Sequence, residues 1–313
     1  SIFFAVFFAV FARSFQIGVY NKMIANMVGM YTGYLQIHQN GFWEEQSIDN
    51  SFIPDQTVLD LLHNNKDITD FNERLESFAL TASDNLTKGA IIMGVNLEKE
   101  DGLMDLSPKL ISGEFPADTS AALLVSEGLA SYYNMSVGDS LILLSQGYHG
   151  ASANGIFPVS GILKFPMPGL NDRLVLMPLP AAQELYAAPE RLTSLVLQID
   201  KPEKLNKLKT YISKKLDLEK YELLDWKSLL PELVQTIQAD SAGGVIIIGV
   251  LYMIISFGIL GTLLMMTAER MHEFGILISI GMRKSKLILT LIMESLFMGI
   301  LASIIGIAVV SPV

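Results

Sequence analysis

The chain has 313 residues, half of them hydrophobic and 17% charged, with a net charge of −10 at pH 7. Positive mean hydropathy at that length points to a membrane protein, and an acidic balance without a Lys/Arg cluster excludes a nucleic-acid partner. The chain holds no cysteine, which excludes disulfides, thiolate metal sites and a cysteine nucleophile.

The charges gather in the middle and leave both ends apolar. Ser1 to Ala12 is an apolar run shorter than the ~20 residues a crossing needs, so it reads as the remainder of a first transmembrane helix. Ser1 and Pro312-Val313 both fall inside apolar runs, and residues are expected to be missing at each end. A signal peptide is disfavoured, because no small-residue cleavage site precedes the next charged segment. Ser14 to Met30 continues as a stalk helix, which closes a first segment at residue 32.

Residues 33–228 form the expected soluble domain, a mixture of short strands and helices. Strands are predicted at Leu123–Val125, Leu141–Leu144, Phe157–Leu163 and Arg173–Met177, and helices at Glu127–Tyr133 and Ala181–Tyr186, with a turn at Val137-Gly138-Asp139. Leu195, Leu197 and Ile199 alternate with Val196 and Gln198, as in a half-buried strand. Leu205, Leu208, Ile212 and Leu216 recur at helical spacing over Lys204–Leu216, opposite a lysine-rich solvated face. His149 and Ser152, on the Gly-rich stretch Gln146–Gly155, read as a flexible loop and not as a nucleophile pair.

Residues 229–268 read as a second stalk and helix, opened by Pro231 and containing 28 uncharged residues from Ser241 to Ala268. As a helix that stretch would run ~42 Å against a hydrocarbon core of ~30 Å. Residues 269–286 are a short charged loop, and 287–313 are a third apolar run whose one charge is Glu294. In the loop, Arg270, Arg283, Lys284 and Lys286 outnumber Glu269 and Glu273, so it is read as cytoplasmic and the soluble domain as extracytoplasmic. Glu294 is costly in lipid and by default functional; a structural carboxylate bonded to a neighbouring helix is the favoured reading.

The loop runs Glu273-Phe274-Gly275-Ile276-Leu277-Ile278-Ser279-Ile280-Gly281-Met282-Arg283, leading to Glu294-Ser295-Leu296. This resembles the E-x-G-I-L-x-x-I-G signature, followed by E-[AS]-L in the next helix, of FtsX/MacB-type ABC permeases. The resemblance implies an α+β membrane protein with long transmembrane and stalk helices, three visible and a fourth missing. Its large mixed α/β extracytoplasmic domain would be part Porter-like and part β-rich. It also implies that the loop is a coupling helix seated in a separate ATPase. Phe274, Ile276, Leu277 and Ile280 can form its apolar face, with Glu273 suited to its start, Arg283, Lys284 and Lys286 to its end, and Gly281 to its closure. An amphipathic helix lying on lipid is the competing reading.

Phe157–Leu163 and Leu174–Leu185 further resemble a strand-to-helix passage of Lol-type permeases. The matching carrier-recruiting loop would fall at Gln146–Gly155, which lacks the family's proline, so carrier recruitment there is not expected.

The chain has no G-x-x-x-x-G-K-[ST] loop and no H-E-x-x-H spacing among His38, His63, His149 and His272. The expectation is therefore a non-catalytic subunit with no cofactor of its own, ATP and Mg being bound by a partner ATPase dimer. A second permease and a lipoprotein or other membrane-derived substrate complete the expected partners, with a periplasmic carrier or adaptor. The expected location is a bacterial inner membrane, with the large domain in the periplasm. Ile17, Met23, Met27 and Ile237 are the expected apolar stalk positions facing the substrate. Alternatives are MacB-like efflux of drugs or peptides and FtsX-like activation of cell-wall hydrolases.

Overall fold

The computed structural model describes residues 2–199 and 201–310; Ser1, Asp200 and Ser311–Val313 lie outside the described residues, and with them both supposedly cut ends. Contacts divide the chain into two compact units, a sheet domain of residues 25–230 and a helical unit made of the residues up to Ile24 and those from Pro231 onward.

The apolar start and the first stalk segment form one helix, α1 (Ile2–Met27), which loosens into a π-turn over Val28–Thr32. Gly33 ends that turn at φ +63°, its N–H bonded to the Val28 carbonyl at 2.8 Å. A Cβ at Gly33 would lie 2.5 Å from Val196 Cγ1, so both the left-handed backbone and the close approach require glycine.

The sheet domain then runs β1 (Leu35–Gln39), α2 (Phe42–Glu45), α3 (Gln56–His63), β2 (Ile68–Ser83), β3 (Leu86–Val95), α4 (Leu97–Met104), β4 (Leu110–Gly113) and β5 (Leu123–Ser126). It continues α5 (Glu127–Tyr133), β6 (Ser140–Gln146), β7 (Ser152–Leu163), α6 (Pro168–Asn171), β8 (Leu174–Pro178) and α7 (Leu179–Leu185). It closes with β9 (Ser194–Ile199), α8 (Leu205–Ser213), β10 (Tyr221–Asp225) and α9 (Trp226–Leu229).

All ten strands belong to one sheet, in the order β10-β1-β9-β2-β3-β8-β5-β7-β4, with β6 bridging β2 and β7. The 16-residue β2 joins its two halves. Arg74 pairs with both Val95 of β3 and Ser194 of β9, while Leu80 pairs with both Gly89 of β3 and Leu144 of β6. One edge of β2 therefore carries β9 first and β6 later, while β3 lies along its other edge from Arg74 onward. Among the described residues three cores fill the domain: Ile37, Leu62, Leu195, Leu208 and Ile212 pack one, Leu75, Ile92, Leu141, Val159 and Tyr186 a second, and Met93, Val95, Leu124, Leu163 and Leu176 a third. At Gly94 a Cβ would come within 2.2 Å of the Ala182 Cβ, so β3 and α7 pack with no side chain between them.

The predicted elements from Leu123 to Leu216 appear within a few residues of their expected bounds. Two readings need correction. β9 is buried on both faces apart from half-buried Gln198, because it lies inside the sheet between β1 and β2 with α3 and α8 packed against Leu195 and Leu197. The stretch Gln146–Gly155 is a β6–β7 hairpin and not a flexible loop. Its tip is pinned by Tyr148 N–H to the Tyr186 carbonyl (2.8 Å), by His149 N–H to Asp49 (2.6 Å) and by Arg191 lying 4.0 Å over the Tyr148 ring.

In the helical unit, α10 (Pro231–Glu269), α11 (Met271–Ser279) and α12 (Lys284–Val310) follow one another with minimal connections. Stalk and span are one 39-residue helix, ~58 Å long, continuous through Gly243-Gly244. Among the described residues, two helices, α10 and α12, are long and apolar enough to cross a membrane. Their side chains are exposed, as at Ile246, Phe257 and Phe297, which is the pattern of a surface that meets hydrocarbon in place of water.

Candidate functional site

The loop between α10 and α12 builds a small, sharply bounded helix. Arg270 breaks α10 with a non-helical backbone, and α11 then makes two and a half turns before a Schellman closure. In that closure Met282 N–H reaches the Leu277 carbonyl at 3.0 Å and Gly281 N–H reaches the Ile278 carbonyl at 3.0 Å. Gly281 sits at φ +100°, as its expected closing role requires. At 100° per residue, Ile276, Ile280, Leu277 and Phe274 span one side of α11 with Glu273 among them. Ile276, Leu277 and Ile280 are exposed, Ile280 by 77%. Gly275 has nothing within 4 Å of a Cβ position.

Arg270 organises the elbow. Its Nε donates to Glu273 Oε2 at 3.2 Å, its guanidinium lies 5.8 Å from the centre of the half-buried Phe274 ring, and its Nη1 donates to both Glu294 oxygens at 3.2 Å. Glu294 is thus held by the residue that opens α11, in keeping with the structural reading of that carboxylate. The expectation that Arg283, Lys284 and Lys286 close the short helix is corrected. The Arg283 carbonyl caps the start of α12, Lys286 N–H reaching it at 2.9 Å, and Lys284 and Lys286 lie in the first turn of α12. Cations are mildly unfavourable at that end of a helix dipole. Placement next to an apolar span is what the positive-inside rule describes, and it outweighs a few tenths of a kcal/mol.

Between α10 and α12 lie two open apolar clefts, of about 250 and 440 Å³. Ile259, Leu263 and Met266 line both; Phe3, Met298 and Ala302 complete the first, and Leu291 and Ile292 the second. The expected stalk positions behave differently from one another. Ile17 and Met23 are exposed, and Met27 and Ile237 are half-buried. The helix face that carries Met23 also carries Gln16 and Tyr20, and both bond the Asp240 carboxylate of α10, Gln16 Nε2 at 3.2 Å. Gly244 lies opposite Gln16, where a Cβ would meet the amide nitrogen at 2.9 Å. The α1–α10 seam is therefore polar at this level, which sequence reasoning missed. Its signal was the lone Asp240 before an uncharged run.

The sheet domain holds a second polar cluster without a counterpart in the expected site. Arg74 and Glu100 are fully buried and paired, with Arg74 Nε 3.3 Å from Glu100 Oε2 and Nη1 3.2 Å from Glu76 Oε1. Arg74 Nη1 also donates to the Tyr31 carbonyl at 2.6 Å, and Asn72 Nδ2 to Glu100 Oε2 at 3.0 Å. Burial opposes the guanidinium charge, but the Glu100 and Glu76 carboxylates prevail and hold its pKa above the usual range. Nearby His38 is pushed down to about 4 by burial, aided by the Arg74 charge and opposed by its bond to the Thr193 carbonyl.

Residues 245–312 match the family described as FtsX-like permease C-terminal, and they contain α11, Glu294 and most of both apolar helices. The likeness to that family lies in the C-terminal part of the chain. Over 269 residues it is 18% identical to the lipoprotein-releasing system transmembrane protein LolC of Neisseria meningitidis serogroup B. The alignment covers 83% of this chain and 64% of LolC, so the chain spans less than two thirds of that relative. The chain is also similar to the crystal structure of the periplasmic region of MacB from Actinobacillus actinomycetemcomitans (16% identity, 69% of this chain and 98% of that one, TM-score 0.44). A further similarity is to the extracellular domain of the noncanonical ABC-type transporter YknZ from Gram-positive bacteria (11% identity, 61% and 99%, TM-score 0.42).

Proposed function

We propose that this chain is an FtsX-like permease, the membrane-spanning, non-catalytic subunit of an ABC transporter, and that α11 is the coupling helix that receives motion from a partner ATPase. The observation that carries the reading is the exposed apolar side of α11, held between two apolar helices by the Gly281 closure at one end and the Arg270–Glu294 bond at the other. Covering such a side chain fully stabilises a complex by ~1.5–3 kcal/mol. An ATPase groove would thus be gripped by Ile276, Leu277, Phe274 and Ile280, with Glu273 and Arg283 at its rim. A pair of ATPases takes a pair of coupling helices and one chain supplies one, so two permeases face each other.

For cargo we infer a lipoprotein, drawn by its acyl chains from the outer leaflet of a bacterial inner membrane, with the sheet domain on the periplasmic side. The support is the name of the LolC relative and the exposed apolar residues Ile17 and Met23 on the stalk part of α1, where each buried methylene is worth ~0.8 kcal/mol. Photo-crosslinkers at Met23 and Ile237 in the ATPase-bound chain test this. Lipoprotein should be captured without ATP and lost when ATP is added; crosslinks to drugs or soluble peptides alone would transfer the cargo assignment to efflux.

A further inference from the structure

In the sheet domain a cavity of about 70 Å³ lies between α2 and the β2–β3 ladder, lined by Tyr31, His38, Phe42, Trp43, Glu76 and Phe78 among others. Its buried polar groups are one-sided. His38 Nδ1 is 2.7 Å from the Thr193 carbonyl, and a carbonyl only accepts, so the ring proton sits on Nδ1 and Nε2 presents a bare lone pair. That Nε2 is buried and has no partner among the described residues. Glu76 takes one bond from Arg74 Nη1 (3.2 Å) and one from the Tyr31 hydroxyl (3.1 Å), which leaves acceptor capacity on its half-buried carboxylate. Arg74 faces both Glu100 and Glu76, so this cluster of one cation and two carboxylates carries one excess negative charge. The remaining wall is mainly apolar, Phe42, Trp43, Phe78 and Ile91 with Gln46 and Ser77 beside them, and His38 stacks on Phe42 at 5.1 Å and lies 6.0 Å from Trp43.

Two acceptors, an uncompensated negative charge and ring faces select a ligand that donates hydrogen bonds, carries positive charge and has an apolar stem. We propose that this cavity binds a primary alkylammonium group, with the ammonium between His38 Nε2 and Glu76 and the methylenes against Trp43 and Phe78. A free alkylamine and a protein lysine share that chemistry. The site lies on the sheet domain, is independent of α11, and gives the extracytoplasmic side of a transporter its own means of sensing a ligand.

The chain has two tryptophans, so Trp226→Phe leaves Trp43 as the only indole. In that background, the full chain in lipid nanodiscs is titrated with butylammonium, butanol, butyrate and Nα-acetyl-lysine methylamide while Trp43 emission is followed. Butylammonium should give a saturable change, butanol should bind roughly tenfold or more weakly, and butyrate should not bind. Glu76→Gln keeps an oxygen for Arg74, turns its amide nitrogen to the Tyr31 hydroxyl oxygen, and should weaken butylammonium roughly tenfold without affecting butanol. Phe78 is 54% exposed, so Phe78→Lys is tolerated by the fold and should block added amine with its own tethered ammonium. Tighter binding of the lysine derivative than of butylammonium would identify a protein lysine as the ligand, and the reverse a free amine. Equal responses to butylammonium and butanol, or undiminished amine binding in both Glu76→Gln and Phe78→Lys, would overturn the proposal.

Discussion

Replacing Arg74 with Met should be among the most damaging single changes in the sheet domain, and the reason is the charge it leaves behind. Glu100 is fully buried, and its carboxylate is paired with Arg74, with one further bond from Asn72 Nδ2 at 3.0 Å. Met fills a similar volume but withdraws every bond that Arg74 makes to Glu100, Glu76 and the Tyr31 carbonyl. Breaking a buried pair from one side costs about 3–5 kcal/mol, whereas removing both charges together is far less costly. Arg74→Met/Glu100→Leu should therefore recover at least half of what Arg74→Met loses. Hydrogen exchange by mass spectrometry on the full chain in nanodiscs reads this directly, because β2 amides around Asn72–Phe78 open with the domain. Exchange there should speed up by roughly two to three and a half orders of magnitude in Arg74→Met. A change under tenfold, or a double variant as impaired as the sum of the two singles, would refute the reasoning.

Three other outcomes are expected. Gly275→Ala should leave α11 intact or firmer, since nothing lies near its Cβ and alanine favours helix by about 1 kcal/mol, whereas Gly281→Ala should loosen it by about 1–2 kcal/mol because of φ +100°; ATPase stimulation by the two variants should separate accordingly. Burial holds His38 at about 4 against an ordinary 6.5, so an unfolded chain takes up a proton below pH 6.5 that the folded one refuses until about 4. That contribution is complete above pH 6.5 and is lost as pH falls through this window, by about 3 kcal/mol; His38→Phe should show a flatter stability profile between pH 6.5 and 4, and an identical profile would contradict the burial. In a chain without cysteine, Ser152→Cys should react with an impermeant thiol reagent added outside and Ser285→Cys should not, the opposite pattern reversing the assigned topology.

Local order was legible wherever one physical signal dominated. Uncharged length showed the helix through Ser241–Ala268, and the spacing of Leu205, Leu208 and Ile212 showed α8. Gly281 was readable as a helix closure because few other residues adopt its backbone. The long strands β2 and β3 were not read, because β2 changes neighbours along its length and its burial alternates irregularly through Asn72, Glu73 and Arg74. The Arg74–Glu100–Glu76 cluster was invisible for a related reason, since 26 residues separate Arg74 from Glu100 and only the sheet brings them together. Arg283, Lys284 and Lys286 were assigned to the wrong helix, because charge alone does not tell the end of α11 from the start of α12 when only a tight turn separates them. The Arg270–Glu294 bond likewise joins two residues that the sequence offered separately.

The coupling role of α11 is the centre of the account, and a crosslink from its most exposed apolar residue tests it most directly. Ile280→Cys, 77% exposed on the chain alone, is treated with a short thiol-to-amine crosslinker in membranes that contain the partner ATPase. A covalent adduct with the nucleotide-hydrolysing chain is expected, and loss of both adduct and co-purification when Ile276→Asp is added to place a charge in the groove. Adducts confined to lipid, with the ATPase still co-purifying in the Ile276→Asp variant, would contradict it.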